Sequence, residues 1–399
     1  MADNPPPDMI KGHGKRGGGS SGKVADFRYK RPPRPEPRSV GTRKPRALTA
    51  EGPSFAPKGP AGSRQAYAAL DLGTNNCRLL IARPSGENFT VIDAFSRVVR
   101  LGEGLAMNGQ LSDQAMERTM AALHVCAEKL RRRHVRLARS VATEACRRAS
   151  NGAQFIERVR EETGIALDII SAQEEARLAV LGCHVLLEDG PGPAVIFDIG
   201  GGSTELVLVE PSGAVPRIID WMSVPYGVVS LSDTVGGSDD ELAARQERYA
   251  RMKHAVLSAF EPFAQRVRAF ARDRSTIRLL GTSGTVTTLA SVHLGLPQYD
   301  RQAVDGLIVH SSAMRDISAR LSSMSPAERQ ALPCIGDDRA SLVVAGCAIL
   351  ESILDIWPAP TLGVADRGIR EGILRSLIAA DAQGERSRAE ILAARGDAK

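Results

Sequence analysis

From residue 67 onward the chain alternates between two kinds of apolar pattern. Short apolar runs at Tyr67–Leu70, Arg78–Ala82 and Phe89–Ala94 predict three successive strands joined by tight turns. Met116, Met120, Leu123 and Leu130 then recur at helical spacing behind Ser112, a good N-cap, which predicts a helix to about Arg133. Further strands are predicted at Leu137–Val141 and Leu167–Ile170, with a helix around Gln154–Glu162 between them. The second half restarts in the same style, with strand Ala194–Phe197, a glycine-rich turn and a returning strand Glu205–Val209. A long helix about Asp239–Phe270 and a strand Ile277–Leu280 come next, with helices thereafter; Ser325-Pro326-Ala327-Glu328 is a capping box with proline at the first helical position. Strands alternating with helices, and one strand–turn–strand theme used twice, predict an α/β fold of two lobes. Their expected extents are 65–190 and 191–380, the last helix of the second returning to the first, with a charged tail over 381–399.

Composition adds a third region. Residues 1–64 hold 11 of the 23 prolines, 10 of the 38 glycines and 14 Lys/Arg against 5 Asp/Glu, a net of +9. The remainder holds 38 basic against 41 acidic residues, so the basic character belongs to the tail. Such a segment buries too little apolar surface to offset its ordering entropy and is expected to be disordered. It would serve as an electrostatic contact to polyanions such as RNA or as a solubilising segment; the absence of an aromatic-rich nucleic-acid motif favours the second. No run of about 18 apolar residues and no apolar signal core are present, so no membrane association and a cytoplasmic location are expected. The six cysteines show no C-x-x-C pair and no His at zinc spacing, which argues for reduced thiols over a disulfide framework or a structural metal.

Candidate chemistry sits in the turns. In Asp71-Leu72-Gly73-Thr74-Asn75-Asn76-Cys77-Arg78, Gly73 lets the backbone approach a phosphate, Thr74 and Asn75 can donate to it, and Arg78 can clamp it. In Asp198-Ile199-Gly200-Gly201-Gly202-Ser203-Thr204, three successive glycines remove every Cβ at the point of approach, and Ser203 and Thr204 donate from the rim. Asp71 and Asp198 are hard oxygen ligands suited to Mg²⁺ (or Mn²⁺). A single Asp-x-Gly turn usually only closes a hairpin. Two, each between apolar strands, point to phosphate binding. A third turn, Gly281-Thr282-Ser283-Gly284-Thr285, precedes a helix near Val286 and reads equally as an anion site or as a tight junction. Glu174 and Glu175 open a helix after a strand, where carboxylates are ordinary helix-dipole partners.

These segments, together with Thr143-Glu144-Ala145-Cys146-Arg147-Arg148-Ala149-Ser150-Asn151 and the later stretches Arg339–Leu354 and Asp366–Leu374, resemble in order and spacing the exopolyphosphatase/guanosine pentaphosphate phosphohydrolase (Ppx/GppA) family. The resemblance covers about 66–380. It implies the two-lobed actin-like ATPase superfold of sugar kinases, heat-shock proteins and actin, with the active site in the interlobe cleft. It further implies Glu175 as the catalytic base, Glu205 as a second essential carboxylate sharing the metal with Asp198 and Asp71, and Arg147 on a substrate phosphate. The implied reaction is magnesium-assisted release of the terminal phosphate from polyphosphate or guanosine pentaphosphate, and the resemblance is compatible with a homodimer. Two departures stand out: Asn76 replaces the family's usual Ser, and the helical HD-like C-terminal region of longer members is not matched, which puts processive action on long polymers in question. A kinase or ATPase of the same superfold, or a non-catalytic polyphosphate or alarmone binder, is the competing reading; the Glu-Glu-Ala-Arg and Gly-Gly-Gly-Ser-Thr-Glu segments together favour hydrolysis.

Overall fold

The computed structural model describes residues 65–396 apart from 87, 191, 211, 213–214, 238–240 and 271–276. The expected tail 1–64 and the expected helix start at Asp239 lie outside the described residues. The first sheet contains β1 (Ala66–Leu72), β2 (Asn76–Ser85), β3 (Asn88–Val98), β4 (Val135–Ala142) and β5 (Leu167–Ile169), ordered β3-β2-β1-β4-β5. Tight turns make β1, β2 and β3 an antiparallel meander. The helices Asp113–Arg132 and Gly152–Thr163 carry the chain over to β4 and β5, which run parallel to β1.

The second sheet contains β6 (Ala194–Ile199), β7 (Thr204–Glu210), β8 (Arg217–Val224), β9 (Arg278–Thr282), β10 (Ile308–His310) and β11 (Thr361–Ala365), ordered β10-β11-β9-β6-β7-β8. Without the edge strand β10 this is the order of the first sheet. The register repeats as well: Asp71 faces Arg78 across the first hairpin, and Asp198 faces Glu205 across the second. The two strands after the third turn had been expected as helix. Both are short, and β11 follows Pro358-Ala359-Pro360, so neither displays a strand period long enough to read.

Each sheet packs its own helices. Leu70, Leu72, Leu79, Leu123 and Phe155 centre the first core. Phe197, Phe260, Phe263 and Trp357 centre the second, the last two meeting edge to face at 5.9 Å. Two helices join the lobes. Ala172–Cys183 places Ala176, Val180 and Cys183 against Ile196 and Val207 of the second sheet. Ile369–Gly396 returns to the first sheet, burying Ile373 and Leu374 against Tyr67, Ala69 and Leu80. This final helix runs without a break through residue 381, where a separate tail was expected; there Asp381 accepts from Tyr67 Oη at 2.6 Å and from Arg136 at 3.0 Å. The two joining helices touch at glycines: a Cβ on Gly182 would lie 2.7 Å from the carbonyl carbon of Gly368, and one on Gly372 would lie 2.9 Å from that of Leu178. No helix among the described residues is long and apolar enough to cross a membrane.

Candidate active site

The two Asp-x-Gly turns meet between the lobes. Each is closed by the same bond, Gly73 N to Asn76 O and Gly200 N to Ser203 O, both 2.9 Å. The outer carbonyls of each are tied from behind. Val99 and Arg100 N–H donate to Asn75 O and Gly102 N–H to Thr74 O; Val228 N–H donates to Gly200 O and Val229 N–H to Gly201 O. Tying the carbonyl edge from behind fixes the conformation of both loops where they line the cleft. Glycine is required by proximity: a Cβ on Gly202 would sit 2.5 Å from Thr74 Oγ1, and one on Gly201 3.1 Å from Asn75 N.

Opposite the loops stands Glu175. Ser171 caps its helix by accepting from Glu174 N–H at 3.2 Å, which sets both glutamates in the first turn. Glu174 turns outward to Arg139 and Arg177. Glu175 turns inward and is only 6% exposed. Arg147 donates to Glu175 Oε2 at 3.1 Å, to Glu144 Oε2 at 2.5 Å and to the Ile170 carbonyl at 2.8 Å. Glu205, on β7, accepts from Ser203 Oγ at 2.6 Å.

Asp71, Asp198, Glu205 and Glu175 therefore crowd one cleft. Burial lifts Glu175 well above the ordinary carboxylate range; Glu205 adds to the rise and Arg147 opposes it. Burial, with Asp198 beside it, pushes Glu205 up to about 7. Burial takes Asp198 to about 6 against the pull of Arg78, and raises Asp71 against Arg78 and Arg370. Arg78 is lowered by burial and by Arg370. Such mutual elevation marks acids whose charge is incompletely compensated, as functional clefts arrange.

Of the residues singled out in the sequence, Asp71, Gly73, Thr74, Asn75, Arg78, Glu175, Asp198, Gly200, Gly201, Gly202, Ser203, Glu205, Gly284 and Thr285 line this cleft together. Thr204, Gly281 and Thr282 do not. Thr204 Oγ1 donates to Tyr226 O and Thr282 Oγ1 to Arg367 O, while Gly281 leaves room for the Phe197 ring. Arg147 also stands off the cleft wall, engaged by Glu144 and Glu175 where a phosphate contact had been expected. Thr143, Glu144, Ser283, Thr288, Arg339 and Leu342, none of them assigned a role from the sequence, also line the cleft. Ser283 had a readable signal, being a hydroxyl before a helix: its Oγ accepts from Thr285 N–H at 3.1 Å, at a backbone φ of 123°. Arg339 reaches the cleft through a hydrogen bond to Thr288 Oγ1 at 2.6 Å, a tertiary fact that no local pattern announces.

Two similar lobes, each with a glycine-rich turn facing a buried carboxylate in the cleft between them, define a two-lobed actin-like fold. Residues 80–380 match the model of the Ppx/GppA phosphatase family, and the chain belongs to that family. It is 31% identical over 324 residues to exopolyphosphatase 2 of Mycobacterium tuberculosis, covering 78% of this chain and 98% of the relative. The crystal structure of the Aquifex aeolicus Ppx/GppA family member superposes with a TM-score of 0.65 at 27% identity, over 79% of this chain and 98% of that one. An exopolyphosphatase from Cytophaga hutchinsonii shares the fold with a TM-score of 0.70 at 23% identity, over 78% and 97% of the two chains.

Proposed function

We propose that this chain hydrolyses the terminal phosphoanhydride of inorganic polyphosphate, with Glu175 as the base. The observation that carries the reading is the convergence of both glycine-and-hydroxyl loops with Glu175 in one interlobe cleft. The likeness to an enzyme named for polyphosphate supports the substrate class. A second reading, guanosine pentaphosphate, draws support from Leu342 and Val343, which give the cleft an apolar stretch able to face a nucleoside.

A divalent metal fits the residues present. Asp71 Oδ1 is buried without a hydrogen-bond partner, as a ligand oxygen awaiting a cation would be. Among the described residues no three His, Cys, Asp or Glu side chains form a ready-made metal cluster. A metal held by Asp71, Asp198 or Glu205 would thus complete its shell with water and substrate phosphate, the mode Mg²⁺ favours. When bound, it neutralises charge on phosphoryl oxygens.

Loop amides of 74–75 and 201–202, with the Thr74 hydroxyl, hold the terminal phosphoryl group, and Arg78 offsets its charge, while the Ser203 hydroxyl donates its proton to Glu205. Glu175 orients a water for in-line attack and takes its proton; the water oxygen bonds to phosphorus as the anhydride P–O bond breaks. Arg147 keeps the Glu175 carboxylate aimed. Burial raises the proton affinity of Glu175, which strengthens it as a proton acceptor. Phosphate release from short polyphosphate, long polyphosphate and guanosine pentaphosphate, compared by kcat/KM, tests the substrate. Glu175→Gln should lower kcat by about 10² to 10⁴ while substrate binding persists. Unchanged turnover would remove Glu175 from the mechanism.

A further inference from the structure

The strand β8 reads Arg217-Ile-Ile-Asp-Trp-Met-Ser-Val224, with one hydroxyl in an otherwise mainly apolar stretch. That hydroxyl belongs to Ser223, at a position where strand propensity alone would favour valine or isoleucine. Register places Ser223 directly across from Glu205, so the two side chains share a face. Ser223 Oγ donates to Glu205 Oε1 at 2.9 Å, and Ser203 Oγ donates to the same oxygen at 2.6 Å. Two donors on one carboxylate oxygen fix both the rotamer and the rotation of the carboxyl plane, and neither occupies Oε2.

The residues just after Ser223 brace the same loop. Tyr226 O accepts from Thr204 Oγ1 at 2.7 Å. Gly227 presses on the loop so closely that a Cβ there would lie 2.5 Å from the carbonyl oxygens of Gly200 and Gly201. Ser230 Oγ donates to Gly202 O at 2.8 Å. Residues 223–230 thus form a bracket behind the second phosphate loop, and Ser223 is its contact with the carboxylate.

We propose that Ser223 is a positioning residue for Glu205, holding Oε1 so that Oε2 is presented to the cleft. The proposal rests on the functional reading above, in which Glu205 faces the metal and substrate. Loss of such an outer hydrogen bond to a ligating group typically costs about 10- to 100-fold in activity or metal affinity.

The test compares Ser223→Ala, Ser223→Thr and the unaltered protein. Turnover of short polyphosphate gives kcat and KM separately, and titration with Mn²⁺ in the presence of inorganic phosphate, followed by electron paramagnetic resonance, gives an affinity without turnover. Ser223→Ala is expected to lower kcat about 10-fold with KM within about threefold, and to weaken Mn²⁺ about 10-fold. Ser223→Thr, which keeps the hydroxyl, should restore most of both. Equality of Ser223→Ala with the unaltered protein overturns the proposal, and so does a Thr variant as defective as Ala, since packing and not the hydroxyl would then be at stake. If the unaltered protein releases phosphate from no substrate, the functional reading falls, and the Mn²⁺ comparison judges Ser223 by the same criteria.

Discussion

Substituting Gly182 by alanine tests whether the packing of the two joining helices governs chemistry in the cleft between the lobes. The new Cβ would lie 2.7 Å from the Gly368 carbonyl carbon and 3.1 Å from its Cα. The carbonyl oxygen lies closer still, and all three are backbone atoms, so no side chain can rotate away and the surfaces must part by about 1.5 Å to reach ordinary contact. Overpacking of this kind costs about 1–3 kcal/mol. Replacing glycine in a helix returns at most about 1 kcal/mol, less here because Gly182 is next to the helix end at Cys183. The net loss is about 1–2 kcal/mol, a fall in melting temperature of a few degrees. Gly182 lies two turns, about 10 Å, from Glu175 on the same helical face, so displacement at one end carries the base with it. Gly368 in turn abuts Asp198: a Cβ on it would be 3.9 Å from Asp198 Oδ2. A shift of about 1 Å in a catalytic group can cost about 10²-fold, so kcat should fall at least about tenfold. Thermal melts and phosphate-release kinetics on one preparation decide the matter. A variant that melts lower but keeps full kcat refutes the transmission to Glu175; one unchanged in both refutes the contact argument itself.

Three further outcomes are expected. Arg147→Gln removes the cation that opposes the rise of Glu175, so the carboxylate should hold its proton to higher pH; the acid limb of the kcat/KM profile then moves upward, read from a pH series. Asp71→Asn, which changes the unpartnered oxygen's carboxylate into an amide, should raise the Mg²⁺ concentration needed for half-maximal phosphate release. Asp93 is held down to about 2 chiefly by Lys129, with Arg133 beside it. Its contribution is therefore complete above the unfolded value near 4 and is lost as pH falls from there through about 2. After allowance for solvent screening, Asp93→Asn should cost about 1 kcal/mol at pH 7 and progressively less below pH 4, measured by urea denaturation.

The two Asp-x-Gly hairpins were legible because they are local: strand, turn and strand are contiguous, and the three glycines at 200–202 stand out against any ordinary turn. The placement of Glu175 was not local. Nothing in its own helix separates it from Glu174; the difference is that one faces Arg139 and solvent while the other faces Arg147 and the cleft. The same holds for Thr204 and Thr282, whose hydroxyls looked like phosphate donors but serve backbone carbonyls at Tyr226 and Arg367. Strand β11 escaped notice for its brevity, although it pairs centrally between β9 and β10. Residue type and spacing announce hairpins and caps, whereas facing across a fold is decided by packing.

The repeated register of the two hairpins has a directional consequence. A linear inorganic polyphosphate reads the same from either end, so any polarity in how it lies must come from the protein. Positions 78 and 205 occupy the same place in their respective hairpins, yet one is arginine and the other glutamate. Two halves that agree in topology but differ in sign at this pair give the cleft a head and a tail, and on the proposed function a symmetric substrate entering it would acquire an orientation.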